Sequence, residues 1–168
     1  MPHSTDIVMQ DAKQIITSTE KVAELLERTS WSRDFSFVQL QKIVENMKAY
    51  EVQRDTIIFL EGAADQTMGI IIVGEVKIIK IDRTEQKTLA ILGPGNTFGE
   101  MSMIDGEPRS ARSVAASRAI VLLITKDDFL KLGETWPGLG LKIMWKIARL
   151  MSQRLRRTDG LLMEHLND

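Results

Sequence analysis

The sequence contains no cysteine, which excludes disulfides, thiolate chemistry and cysteine-ligated metal. Histidine occurs only twice, as His3 and His165, and neither has residues at metal-ligand spacing around it, so no metal site is expected. No stretch approaches the ~18 uninterrupted apolar residues that a membrane span needs. The opening MPHSTDIVMQ lacks the basic segment and apolar run of a secretory signal. The expectation is a soluble, cytoplasmic chain without membrane contact. Charge of one sign is missing too: 22 basic and 23 acidic side chains leave a formal net charge of -1. That balance argues against a surface devoted to nucleic acid, although it permits a local basic patch. No nucleophile–base pair stands out either, so no catalytic residue is assigned and an enzyme is not expected.

What is present is enough apolar residue, 43% of 168, for one ordinary core with helical extensions. Residues 1–10 read as a loose terminus. From Asp11 to Arg28, Ile15, Ile16, Val22, Leu25 and Leu26 form a single stripe on a polar background, which predicts an amphipathic helix. A second helix is predicted from about Phe37 to Met47, capped at Ser36, with Leu40, Ile43, Val44 and Met47 at helical spacing. The texture then changes to short runs rich in isoleucine and valine. These are Thr56–Leu60, Met68–Val73, Glu75–Ile81, Lys87–Leu92, Ser113–Ala115 and Ile120–Ile124, parted by glycine-rich turns. Such spacing predicts a β-sandwich or roll. Thr125 and Asp128 resemble a capping box that opens a short helix ending at Gly133. Pro137 then suits the first turn of a long helix reaching Leu166, roughly 28 residues or 42 Å. The resulting division is 1–34 helical extension, 35–135 roll and 136–168 long helix.

Residues 98–111, FGEMSMIDGEPRSA, concentrate the chemistry. A cyclic nucleotide offers one phosphate charge and a ribose 2′-hydroxyl. A carboxylate can accept the hydroxyl's hydrogen bond, an arginine can meet the phosphate with a forked pair, and backbone N–H groups opening a helical turn add anion binding. Gly99 permits close backbone approach, Glu100 is the ribose candidate, and Met101 to Ile104 can form the turn. Arg109 is the phosphate candidate, and Ser110 adds a hydroxyl and an N–H.

This segment resembles the phosphate-binding cassette of cyclic-nucleotide-binding domains, found in catabolite-activator-type regulators, kinase regulatory subunits and gated channels. Phe98, Gly99, Glu100, Met101, Met103, Pro108, Arg109, Ser110 and Ala111 sit at matching positions. Ile57–Lys80 and the turn LGPGNTFGE extend the likeness, which covers about Phe35 to Leu132. Gly69 departs from it where many members carry an aromatic residue; Asp55 replaces a frequent glycine and Ser102 a common alanine. The resemblance implies a mainly β fold with flanking helices: a cyclic-nucleotide-binding β-roll (double-stranded β-helix or jelly roll) with N-terminal helices and a long C-terminal helix. It implies that Glu100 holds the ribose and Arg109 the cyclic phosphate. Gly99, Met101, Ser102, Ser110 and Ala111 complete the ligand set, with cyclic AMP preferred and cyclic GMP allowed.

Base cover in this family often comes from the helix after the roll. Thr158 and Asp159 suit an adenine amino group or a guanine edge, whereas a gapless register points to Arg154 and Leu155. The same helix carries Met144, Ile147, Met151, Leu155, Thr158 and Leu162 at alternating spacings of three and four, a seam for a homodimer. The expected function is a module that binds a cyclic nucleotide and passes occupancy to its C-terminal helix and an effector protein. The family's regulators add a winged helix-turn-helix after that helix, and too few residues follow Leu162 to form one. Direct DNA binding by this chain alone is therefore not expected. A truncated sensor of such a regulator and a ligand-free interaction roll are the alternatives.

Overall fold

The computed structural model describes Met9 and residues 11–167, so His3 and the rest of the expected loose terminus lie outside the described residues. Two compact units emerge, meeting at the Phe129–Leu130 bond. The first holds the N-terminal helices and the roll together.

The predicted helix from Asp11 is shorter than its stripe. Lys13–Ile15 is a strand, β1, and the helix α1 spans Thr19–Glu27. Asp11 takes a left-handed φ of 72°, which breaks a helix there, and the Ser18 hydroxyl accepts from the Lys21 N–H to start it later. A single 3-10 stretch, Ser30–Asp34, follows, with Trp31 buried and stacked on Phe35 at 4.8 Å. Helix α2, Phe37–Val44, begins as expected at Ser36, which forms a full capping box with Gln39. It ends three residues earlier than its apolar spacing suggests.

The roll is two antiparallel sheets. The strands are β2 (Lys48–Val52), β3 (Ile57–Phe59), β4 (Thr67–Val73), β5 (Val76–Asp82), β6 (Glu85–Leu92), β7 (Thr97–Phe98), β8 (Arg112–Ala115) and β9 (Ala119–Thr125). One sheet runs β1-β2-β9-β4-β7 and the other β3-β8-β5-β6. Val52, Ile71, Val121 and Leu123 from the first meet Phe59, Val76 and Ala115 from the second in one core cluster. In β4 every residue from Thr67 to Ile72 is buried, so both faces of that strand are covered, which explains its unbroken apolar run. Gly69 has a steric reason: a Cβ there would collide with the Phe98 ring. The aromatic residue that the family often places at this position has no room here.

Helix α3, Glu100–Asp105, is the cassette's helical turn, bounded by Gly99 (φ 75°) and Gly106 (φ 71°). Helix α4, Lys126–Thr135, runs through Gly133 rather than stopping there. That glycine serves a close approach instead: a Cβ on Gly140 would sit 2.9 Å from the Gly133 Cα. Helix α5, Pro137–Leu166, starts with proline in its first turn and runs 30 residues, matching the long-helix expectation. Its inner stripe is Leu139, Ile143 and Ile147, all buried. Ile147 is thus unavailable to a partner subunit, contrary to its place in the predicted seam.

Candidate functional site

The site assembles where β7 delivers the chain into α3 and where the loop after α3 returns to β8. Gly99 is left-handed, and a Cβ on it would sit 2.9 Å from the Thr67 carbonyl oxygen and 2.5 Å from Arg109 Nη1. Only glycine lets the helix start this close to the guanidinium. Glu100 opens α3 and is 4% exposed; Ser102 and Met103 are buried beside it, while Met101 and Ile104 face solvent.

Arg109 is buried and heavily engaged. Its Nε donates to Asp65 Oδ1 at 3.2 Å and its Nη2 to Asp65 Oδ2, a bidentate pair. Nη1 donates to the Gly99 carbonyl at 2.9 Å and Nη2 also to the Thr67 carbonyl at 2.6 Å. The guanidinium carbon lies 3.7 Å from the centre of the Phe59 ring. A guanidinium has five N–H hydrogens, so these bonds leave at most one, on Nη1, for an incoming group. The backbone is held equally firmly: Arg109 N–H donates to Ala63 O at 2.9 Å, and Gly62 N–H to Arg109 O at 2.8 Å.

Asp65, Thr67 and Phe59 were missed by the sequence reading. Asp65 lies 44 residues from Arg109, and no local spacing links them. A second group is likewise invisible in the linear text. Lys80 Nζ donates to the Ser110 carbonyl at 2.6 Å and pairs with Glu61 Oε1 at 2.8 Å, while Ile81 N–H donates to Glu61 Oε2 at 3.0 Å. The Lys80 hydrogen bond, then the Ile81 N–H, hold the Glu61 carboxyl below its ordinary value.

The structure therefore brings Gly99 and Arg109 into direct contact, with Glu100 and Ser110 adjoining them in the chain. Ser110 is exposed and Ala111 half-buried. Thr158 belongs to the second unit, on the exposed part of α5, where its hydroxyl donates to the Arg154 carbonyl at 3.0 Å. A cavity of about 310 Å³ lies among Lys48, Tyr50, Thr67, Leu123 and Thr125 and includes no residue of 98–111. Among the described residues, no group of three or more acids and histidines could hold a metal, and no helix is long and apolar enough to cross a membrane.

The cyclic nucleotide-binding domain family model matches residues 50–135, from β2 through α4. The chain belongs to this family. It is 34% identical to the cyclic AMP receptor protein of Thermus thermophilus over 103 residues, 61% of this chain and 46% of that protein. It is 25% identical to a CRP-like cAMP-activated global transcriptional regulator of Mycobacterium tuberculosis over 138 residues, 82% of this chain and 60% of that one. The chain thus spans about half the length of the curated relatives it matches. Among solved structures, a cyclic nucleotide-binding domain from Methylobacillus flagellatus superposes with a TM-score of 0.77 at 30% identity, covering 88% of this chain and 85% of the other. The Thermus thermophilus catabolite activator protein gives 0.68 at 27% identity, covering 79% and 61%. The β-roll with N-terminal helices and a long C-terminal helix is the family's architecture, and the chain carries the family's cyclic nucleotide-binding domain.

Proposed function

We propose that this module binds cyclic AMP in preference to cyclic GMP, and that α5 carries the signal of occupancy to an effector protein in the cytoplasm. The observation that carries this reading is the Gly99–Glu100–Arg109 arrangement: a buried acid one residue from a glycine that touches a buried, preset guanidinium. Glu100 accepts the ribose hydroxyl, Arg109 supplies its remaining Nη1 hydrogen to the phosphate, and Gly99, Met101, Ser102, Ser110 and Ala111 line the contact. Four fixed acceptors and a ring hold the guanidinium before ligand arrives, so little side-chain freedom is lost on binding.

The preference for cyclic AMP is taken from the bacterial-style cassette, with Thr158 as the candidate base contact. Its hydroxyl hydrogen is directed to Arg154 O, so the oxygen presents lone pairs to an amino donor on the base. Homodimerisation fits a stripe of α5 whose members are exposed except for the half-buried Met144 and Met151. With Ile147 buried, the stripe reads Leu141, Met144, Ala148, Met151, Leu155, Thr158 and Leu162, alternating three and four apart. The ligand biases the module by binding one arrangement of its parts more tightly than another.

Calorimetric titration with cyclic AMP and cyclic GMP tests the reading, and silence towards both at millimolar concentration overturns it. Glu100→Gln should weaken binding at least about tenfold, the worth of one charge-assisted hydrogen bond. Thr158→Val should shrink the ratio between the two nucleotides, and Leu155→Glu should shift the mass in light scattering from dimer to monomer. A second reading, the sensor part of a transcription regulator, is favoured by the likeness to the Mycobacterium tuberculosis regulator. A genomic reading frame continuing past Asp168 into a helix-turn-helix pattern would decide for it.

A further inference from the structure

The main chain from Arg109 to β8 is held unevenly. Arg109 is zipped to the loop after β3 through Gly62 and Ala63, and ladder pairing resumes only at Arg112. Ser110 and Ala111 lie between, outside either ladder. The Ser110 carbonyl has one side-chain tie, the 2.6 Å bond from Lys80 Nζ. Lysine is a flexible four-carbon stem, and an unpaired ammonium 46% exposed would swing among many rotamers. Glu61 removes that freedom. One of its carboxylate oxygens holds Lys80 at 2.8 Å, and the other is itself pinned by the Ile81 N–H at 3.0 Å. A carboxylate from the loop after β3, an ammonium from β5 and a carbonyl from the cassette thus form one bridge.

We propose that Lys80 and Glu61 are positioning residues of the nucleotide site: they touch no ligand atom, and they fix the Ser110 linker so that its hydroxyl and N–H meet the cyclic phosphate without further ordering. This inference rests on the binding role given to the cassette under the proposed function. Its physical basis is that a linker ordered before binding loses no freedom on binding, whereas a loose one pays that cost in affinity. Lys80 stands on a strand and Glu61 in a loop, both outside the cassette motif.

The test titrates the full chain and its K80M, K80R and E61Q variants with cyclic AMP by calorimetry, with thermal midpoints recorded in parallel. K80M keeps the apolar stem and removes only the cation, so its midpoint should stay close to that of the parent. Its Kd should rise about tenfold, because binding must then order the loosened Ser110 linker itself. K80R should restore binding to within about threefold of the parent, since a guanidinium can still donate to the carbonyl and the carboxylate. E61Q should fall between the two. A K80M affinity equal to the parent's overturns the inference while leaving the binding reading intact, and so does a K80R variant as weak as K80M. A parent protein that binds neither cyclic AMP nor cyclic GMP overturns the binding reading and this inference together.

Discussion

Asp65 and Glu61 leave the same loop four residues apart; Asp65 meets Arg109 directly, and Glu61 reaches Ser110 through Lys80. Asp65 pairs with Arg109 where the two side chains are 8% and 3% exposed; Glu61 pairs with Lys80 where they are 21% and 46% exposed. The chemistry is the same, a carboxylate and a cation at contact, yet the surroundings differ. In the buried pair each charge has lost its water, so each depends on the other and on the Gly99 and Thr67 carbonyls. In the exposed pair water and salt can replace either partner, so the contact orders the chain more than it stabilises it. A short loop can therefore serve folding with one acid and ligand preorganisation with the other.

The sharpest way to break this contrast is Asp65→Ala. It strands a buried guanidinium and should cost about 3–5 kcal/mol, read as a fall in the urea midpoint. A loss no greater than that of a surface substitution would show that Arg109 reaches water after all. Next in size is Gly99→Ala, which tests how closely the buried side is packed. The new methyl meets the Thr67 carbonyl at 2.9 Å in a backbone held at φ 75°. The expected cost is about 1–3 kcal/mol in the same assay. On the exposed side, Lys80→Met should leave the urea midpoint nearly unchanged, and a drop comparable to that of Asp65→Ala would erase the distinction.

How much of this was legible in the sequence divides along the same line. The helical turn after Gly99 was readable because the cassette motif marks it within a dozen residues. The Ser36 cap, the apolar run of β4 and the length of α5 were readable because capping, burial on two faces and a proline-led helix leave local marks. The partners Asp65, Glu61 and Lys80 were not. Their roles depend on strands that meet only after folding, and an acid in a loop looks the same whether it ends buried or wet. Strands β1 and β2 were hidden for a related reason: KQI and KAYEV are polar on one side and too short to show a period. Gly133 misled because its partner, Gly140, lies on the next helix.

The smallest effect sharpens the comparison through pH. Glu61 is held below the ordinary value of 4.5, first by the Lys80 hydrogen bond and then by the Ile81 N–H. A lowered folded-state value means that the unfolded chain takes up the proton first as pH falls. The contribution of Glu61 to stability is therefore complete above 4.5 and is lost as pH drops through the lower folded value. Glu61→Gln removes that proton linkage, so the acid limb of stability against pH should be shallower in the variant, while the two curves run parallel at neutral pH. The difference should be slight, because the pair stands in water and shares its acid limb with Glu51, which Arg118 holds below its usual range in the same way. Raising the salt should shrink it further, since exposed charges are screened. An acid limb in the variant as steep as the parent's would mean that the Lys80 contact is too loose to be felt even by the proton, and the exposed acid could then order nothing.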